Sequence, residues 1–165
     1  MIRKIKLIQS YFYKLYVKYK SKKYGVGLRV NGYSIVTENT ELGNNINFNG
    51  IRITGGGKII IMDNFHSGRD CLMISSNHNY INASKIPYDE KYINKDIIIQ
   101  ENVWIGDRVI ILGGVTIGEG AIIQAGSVVI KNIPKYSIAG GHPAVVFSKR
   151  DVLHYKEKKK MKAYH

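Results

Sequence analysis

The chain has 165 residues, which is enough for one domain with a sizeable core. Its formal net charge is +13, and the excess lies at the two ends: residues 1–24 hold eight basic and no acidic residues, and residues 149–165 hold seven basic and two acidic ones. The balanced stretch between them argues against a nucleic-acid-binding domain, so no nucleic acid is expected as a partner.

The sequence also predicts a cellular location. No apolar run approaches the roughly 20 residues that span a bilayer. The start MIRKIKLIQSYF lacks the long apolar stretch and small-residue cleavage site of a secretory signal. The lone Cys71 excludes an intrachain disulfide framework and suits a reducing compartment. We therefore expect a cytoplasmic protein.

Residues 1–24 are expected to form a basic amphipathic helix, because apolar residues recur there with helical spacing and lysines fill the other positions. The apolar stripe comprises Ile2, Ile5, Ile8, Phe12, Leu15, Tyr16 and Tyr19. Two interpretations remain open. Either the stripe packs against the following domain or a neighbouring subunit, or it makes a peripheral contact with the anionic inner membrane.

A repeat with a period of six begins near residue 30. Its first inward positions are Val36 and Leu42, and the phase then slips by one at residues 55–57. These three glycines lack the lysine and the strand–helix context of a phosphate loop, so we interpret them as a bulge at a corner. The register resumes at Ile61, Ser67 and Met73.

Six consecutive hexads follow between residues 99 and 134. A small or β-branched residue stands four places after each aliphatic one, and Asn, Arg or Gly stands three places after, where Gly and Asn suit positive φ. This period fits neither a helix nor a plain strand, but short strands bent at regular corners. Residues 25–148 are therefore predicted to form an all-β solenoid with one continuous core. The aliphatic positions are Ile99, Ile105, Ile111, Ile117, Ile123 and Val129.

Two segments depart from the repeat. Residues 79–96 are polar and contain Pro87, which predicts an excursion loop at a corner. Long excursions from a regular scaffold tend to carry function. Residues 149–165 form a short basic tail, for which a solvated helix or a frayed end is expected.

His78 is the candidate for chemistry among the five histidines. It ends the last hexad before the excursion loop, in the string MISSNHNY, so it stands where a rigid coil meets a loop. Cys71 lies on the coil beneath and is expected to fill the core.

The strings ISSNHNY and IIIQENVWIGDRVIILGGVTIGEGAIIQAGSVVIKNIPKYSIAGGHPAVV resemble those of the hexapeptide-repeat acyltransferases. The closest likeness is to the sugar and polysaccharide O-acetyltransferases of the maltose, galactoside and colanic acid type. This resemblance implies a left-handed parallel β-helix, acetyl-CoA as cosubstrate, no metal, and a homotrimer. It also implies that His78 is the general base, a role that suits imidazole because its neutral form is available at pH 7.

The resemblance further implies that acetyl-CoA binds along the late coils, in the groove between subunits. Two departures are Ile130, where sugar acetyltransferases often have Thr, and Val145, where they have Arg. Trp104 matches a family tryptophan and is expected to pack beside the base of the excursion loop, with stacking on the substrate as the alternative. The expected acetyl-CoA-binding residues are Asp107, Gly113, Ala125, Gly126, Ile130, Lys131 and Arg150. The acceptor-side candidates are Asn49, Asn77 and Asp89, the last also as the group that orients His78.

We therefore predict acetyl transfer to a sugar hydroxyl, in a small-molecule or lipid-linked glycan of a bacterial surface polysaccharide. The alternatives are an antibiotic or other xenobiotic acetyltransferase, an amino-sugar N-acetyltransferase, and a catalytically silent hexapeptide scaffold. A γ-class carbonic anhydrase needs three histidines around zinc, and the sequence has none between His78 and His142, so that site cannot be built in the family's way.

Overall fold

The computed structural model describes the backbone of residues 2–165 and the side chains of residues 5–165. Met1 and the side chain of Ile2, both part of the predicted N-terminal helix, lie outside the described residues. Helix α1 (Ile2–Lys20) begins the described chain, short strands occupy residues 29–149, and helix α2 (Val152–Lys160) follows.

Most strands lie in three parallel sheets, which are the faces of a triangular prism. Face A contains β2 (Thr40–Leu42), β5 (Ile59–Ile61), β10 (Ile97–Ile99) and β13 (Thr116–Ile117). Face B contains β1 (Arg29–Val30), β3 (Asn47–Phe48), β6 (His66–Ser67), β11 (Trp104–Ile105), β14 (Ile122–Ile123), β16 (Ser137–Gly141) and the antiparallel β17 (Ala144–Lys149). Face C contains β4 (Ile51–Thr54), β7 (Cys71–Ile74), β12 (Ile110–Leu112) and β15 (Val128–Val129).

The chain visits faces A, B and C in turn, and each round is one coil of a parallel β-helix. Coil 1 contains β1, coil 2 contains β2 to β4, coil 3 contains β5 to β7, coil 4 contains β10 to β12, and coil 5 contains β13 to β15. A sixth coil begins with β16. The corners between the faces form three edges along the prism, which we call edges AB, BC and CA. The predicted solenoid is therefore confirmed.

The core consists of the residues that the hexads predict. The six aliphatic residues that recur between residues 99 and 129 are each at most 1% exposed. Four places after each, the residues that close the corners are also buried: Val103, Val109, Val115, Ala121, Ser127 and Ile133. Cys71 is buried as expected, and its burial raises the pKa of the thiol to about 11.

The corner column also behaves as predicted, with one exception. Asn102, Arg108, Gly114, Gly120 and Gly126 all have positive φ, between 58° and 90°. Asn132 is the exception, because it is not among the residues with positive φ. Its side-chain oxygen instead accepts a hydrogen bond from the backbone N–H of Thr116 at 2.7 Å.

Helix α1 covers the open end of coil 1. The N–H groups of Arg29 and Asn31 donate to coil 2, so the carbonyl of Val30 between them points out of the open end. The Ser10 hydroxyl donates to this carbonyl at 2.6 Å. Val17, on the same side of the helix, is fully buried in the core.

The apolar stripe of α1 lies on the opposite side of the helix. At 3.6 residues per turn, its members are about half a turn away from Ser10 and Val17. The interpretation that the stripe packs against the solenoid is therefore wrong. The described stripe residues are each at least 40% exposed in the single chain: Ile5, Ile8, Phe12, Leu15, Tyr16 and Tyr19.

Helix α2 docks against edge AB, so the basic tail is neither frayed nor fully solvated. Asp151 caps the helix by accepting from the N–H of His154 at 3.0 Å. The Tyr155 hydroxyl donates to Glu119 at 3.0 Å, and Lys159 donates to the same carboxylate at 2.7 Å. Burial alone would raise the pKa of Glu119, but these two hydrogen bonds, with the charge of Lys159 and a hydrogen bond from Tyr136, together lower that pKa.

Candidate active site

The excursion loop leaves the solenoid at edge CA, directly after coil 3. Its two ends pair as an antiparallel hairpin of β8 (Ser76–His78) and β9 (Tyr92–Asn94), in which His78 lies opposite Tyr92. The hairpin holds the root of the loop in place, so His78 stands on regular structure although it is next to a loop. At the hairpin's base, a groove is lined by residues that include Thr54, Ser76 and Asn94.

Two tyrosines enclose the ring of His78. Tyr88 stacks on it with ring centroids 3.8 Å apart and planes 17° apart, and Tyr92 approaches at 4.6 Å. The Nδ1 atom is buried and has no hydrogen-bond partner among the described residues. An imidazole that acts as a base through Nε2 needs an acceptor for a proton on Nδ1, so the site in the single chain is incomplete.

Asp89 does not supply that acceptor. Its Oδ2 accepts from the side-chain amide of Asn79 at 2.8 Å and from the N–H of Ser84, and its Oδ1 accepts from the N–H of Lys91 at 2.9 Å. These bonds, the one from Lys91 first, lower the pKa of the carboxyl. The buried carboxylate therefore ties the excursion loop together, and the structure does not place it on His78.

Asn77 and Asn49, the other acceptor-side candidates, lie apart. Asn77 is exposed beside the catalytic candidate, where its side-chain oxygen accepts from the N–H of His78 at 3.0 Å. Asn49 lies at edge BC of coil 2, where it donates to the carbonyl of Ser67 at 2.7 Å and accepts from Asn31 at 3.0 Å. The structure thus places Asn77 beside His78, and Asn49 at a different edge of the prism.

The candidate acetyl-CoA residues divide between the edges. Asp107, Ala125 and Gly126 lie together at edge BC, where they border a cavity of about 530 Å³. Gly113 and the exposed residues Ile130 and Lys131 lie at edge CA, on the coils that follow His78. The remaining candidate is Arg150, whose Nε donates to the carbonyl of Gly120 at 2.6 Å at edge AB, where it helps to hold α2.

The cavity at edge BC, which we call the cradle, is open to solvent and is bordered by Asp70 as well as by Asp107. A Cβ at Gly126 would meet no atom within 4 Å, so the backbone is open to a ligand there. Two arginines that sequence reasoning missed, Arg69 and Arg108, border the same cavity. Asp107 accepts from the N–H of Arg69 at 2.8 Å and binds its side chain at 3.3 Å, and these bonds lower the pKa of the carboxyl.

On the outer surface of face C the side chains of coils 3 to 5 are aliphatic, whereas coil 2 carries Arg52 and Thr54 there. Ile110 of β12 lies in register between Leu72 of β7 and Val128 of β15, and Leu112 lies next to Ile74. All five point away from the core and are partly exposed in the single chain. An aliphatic face of this kind is typical of a surface that a second chain covers.

Trp104 is not beside the excursion loop. It lies on face B between His66 and Ile122, is 52% exposed, and lines a cavity of about 460 Å³ beneath α2. Burial, together with the neighbouring His165 and Arg29, lowers the pKa of His66 in the same cavity.

Comparison with known families and structures identifies the fold. The family described as bacterial transferase hexapeptide (six repeats) matches residues 96–131. Residues 96–131 therefore carry the hexapeptide repeat of that family. The solenoid is the left-handed parallel β-helix of that family. Compared with curated protein sequences, the chain has no match.

Three solved structures illustrate the similarity. A galactoside acetyltransferase in complex with coenzyme A is 28% identical, with a TM-score of 0.69 over 83% of this chain and 67% of that one. A maltose O-acetyltransferase from Clostridium difficile 630 is 28% identical, with a TM-score of 0.63 over 80% and 68%. The polySia-specific acetyltransferase NeuO is 28% identical, with a TM-score of 0.62 over 78% and 62%.

The described residues contain no cluster of histidine, cysteine and acidic side chains that could hold a metal ion. Among residues 2–165, no helix is both long and apolar enough to cross a membrane.

Proposed function

We propose that this acetyl-CoA-dependent O-acetyltransferase modifies a sugar hydroxyl in a bacterial surface polysaccharide, with His78 as the general base. The observation that carries the proposal is the position of His78, which stands on a rigid hairpin, between two tyrosines, at the edge where the excursion loop leaves the solenoid. The similar structures that act on galactosides, maltose and polySia support a sugar acceptor.

The reaction needs no covalent enzyme intermediate. The acceptor oxygen attacks the thioester carbonyl, and its proton passes to His78 as the new oxygen–carbon bond forms. The carbon–sulfur bond then breaks, and the protonated imidazole returns the proton to the departing thiolate. Tyr88 and Tyr92 hold the ring plane in position while the proton moves.

A homotrimer would complete the site. If face C of each copy faces a three-fold axis, its aliphatic side chains are buried, and edge CA of one copy adjoins edge BC of the next. This brings His78 of one chain to Asp107, Ala125 and Gly126 of its neighbour. In the single chain the two edges are separated by the whole width of face C, so one chain alone cannot join them. We expect the neighbour also to supply the acceptor for Nδ1 of His78.

Acetyl-CoA is expected to lie along this border. Gly126 leaves the backbone open for the pantetheine, and Arg108 and Arg69 are close enough to the cradle to meet its phosphates. Lys131 would meet the ligand from edge CA. When bound, acetyl-CoA supplies the activated acetyl group.

The acceptor proposed is the lipid-linked form of the glycan, reached through a peripheral contact of residues 1–24 with the inner membrane. The basic N-terminus supports this location, because cationic segments are drawn to anionic leaflets. The protein would then work on the cytoplasmic side.

Replacement of His78 tests the mechanism. H78A should lower turnover about a hundredfold or more, as for loss of a general base, and leave coenzyme A binding nearly unchanged. The matched control is H154A, at an exposed histidine of α2 on edge AB, which should keep full activity. Full activity of H78A on a confirmed acceptor would refute the mechanism.

Mixed trimers test the shared site. A125W should block edge BC, so H78A and A125W are each expected to be inactive alone. Co-expressed, they assort by chance, and about a quarter of the sites combine an intact edge CA with an intact edge BC. Activity should return in the mixture. If it does not, while both variants form trimers, each site belongs to one chain.

A further inference from the structure

Helix α1 presents two opposite surfaces, and the solenoid uses only one of them. Ser10 and Val17 face the open end of coil 1, while Ile8, Phe12 and Tyr19 point away from it and are 58–84% exposed. An apolar helix surface of about four turns, exposed in the single chain, indicates a partner that covers it.

Charge on the flanks of the stripe indicates the kind of partner. By helical geometry, Lys18 and Lys20 lie on the two flanks of the stripe, about 80° to either side of Ser10, and residues 1–24 contain no acidic residue. A stripe packed against a second copy of the same helix would bring these lysines together and repel. An anionic lipid surface meets both features, because its headgroups attract the lysines and its acyl boundary accepts the apolar side chains.

The direction of the stripe supports the same partner. Because α1 lies across the end of coil 1, its exposed surface faces along the solenoid axis and away from the coils. In the proposed trimer, on which this step rests, the three-fold axis runs along the solenoids, so the three stripes lie at the same height and face the same way. Three weak contacts with one flat surface reinforce one another.

We propose that α1 is an in-plane membrane-binding helix, whose stripe of Ile5, Ile8, Phe12, Leu15, Tyr16 and Tyr19 inserts into an anionic lipid surface and whose lysines contact the headgroups. The open end of coil 1 therefore faces the membrane, and the later coils point away from it. The side of α1 that carries Val17 remains packed on the core.

Point variants test this better than truncation, because removal of α1 would expose the core at Val17. Binding is measured by sedimentation of the full chain with phosphatidylcholine vesicles, with and without phosphatidylglycerol. The wild type should bind only the anionic vesicles, and less as salt rises. I8S/F12S should bind at least about tenfold more weakly. L153S, at an exposed apolar residue of α2, is the matched control and should bind as the wild type does.

The flanking lysines are tested by K18E/K20E, which should also bind about tenfold or more weakly, since each charge near the surface contributes about fivefold. Acetyl transfer to a soluble acceptor is measured in parallel and should not change in these variants, so failure of membrane binding and failure of the proposed function are distinguishable. Two results would overturn the inference: wild-type binding to anionic vesicles that I8S/F12S retains, or no vesicle binding with a smaller oligomer in I8S/F12S by light scattering. The second result would assign the stripe to a second copy of the chain.

Discussion

Replacement of Ile110 by Asp tests the trimer most directly, because Ile110 lies in the middle of the aliphatic face C, between Leu72 and Val128. Ile110 is only partly exposed in the single chain, so its further burial on assembly contributes up to about 1.5 kcal/mol. A trimer contains three copies, so loss of the isoleucine alone removes up to about 4.5 kcal/mol of assembly free energy. At about 1.4 kcal/mol per factor of ten, the assembly constant falls by up to about 10³. The desolvation of three carboxylates adds to this loss.

Light scattering on the purified protein is the assay. The wild type should have about three times the 18.7 kDa chain mass, and I110D should be a monomer at micromolar concentration. The control is I98D, at a partly exposed residue on the outside of face A, which should remain trimeric. The I110D monomer should also lose acetyl transfer, because His78 and edge BC no longer meet. An I110D protein that is still trimeric and active would refute the role assigned to face C.

Three further predictions concern the scaffold. Ile105→Ala removes a fully buried side chain and should lower the free energy of unfolding by about 2–5 kcal/mol in urea denaturation. Gly118→Ala should destabilise the protein more than Gly126→Ala, because its Cβ would lie 2.4 Å from the N–H nitrogen of Lys135, whereas the Cβ at Gly126 meets no atom and costs about 1–2 kcal/mol through its positive φ alone. The pKa of Glu119 is lowered in the folded protein, so its stabilisation of α2 is present above the usual value of 4.5 and is lost as the pH falls through the lowered pKa. Hydrogen exchange of the α2 amides should show this loss, and Glu119→Gln should remove its pH dependence.

The hexads predict the solenoid because the rules that place them are local. One inward residue per face is enough to mark Ile105 or Ile111 as core, and the steric limit on positive φ is enough to mark Gly114 and Gly120 as corners. The same period predicts that the excursion begins directly after His78. None of these conclusions requires knowledge of what lies far away in the chain.

The remaining features depend on distant contacts, which a period cannot reveal. The spacing of α1 marks its stripe correctly, but only the open end of coil 1 decides that Val17, and not the stripe, is buried. The basic tail is ordered because Lys159 meets Glu119, 40 residues away in the chain. Asp89 is close to His78 in sequence, yet the turn of the loop directs its carboxylate to Asn79 and Lys91.

The place of His78 in the stack determines its distance from the end of the prism. His78 follows β7 in coil 3, two coils beyond coil 1, and neighbouring coils are about 4.8 Å apart, so it lies about 10 Å from the plane of coil 1. Helix α1 adds about 10 Å more. If the stripe of α1 rests on a membrane, the number of coils between α1 and His78 fixes the height above the lipid at which an acceptor hydroxyl can react. A relative with one more coil before the excursion loop would acetylate a sugar about 4.8 Å farther out.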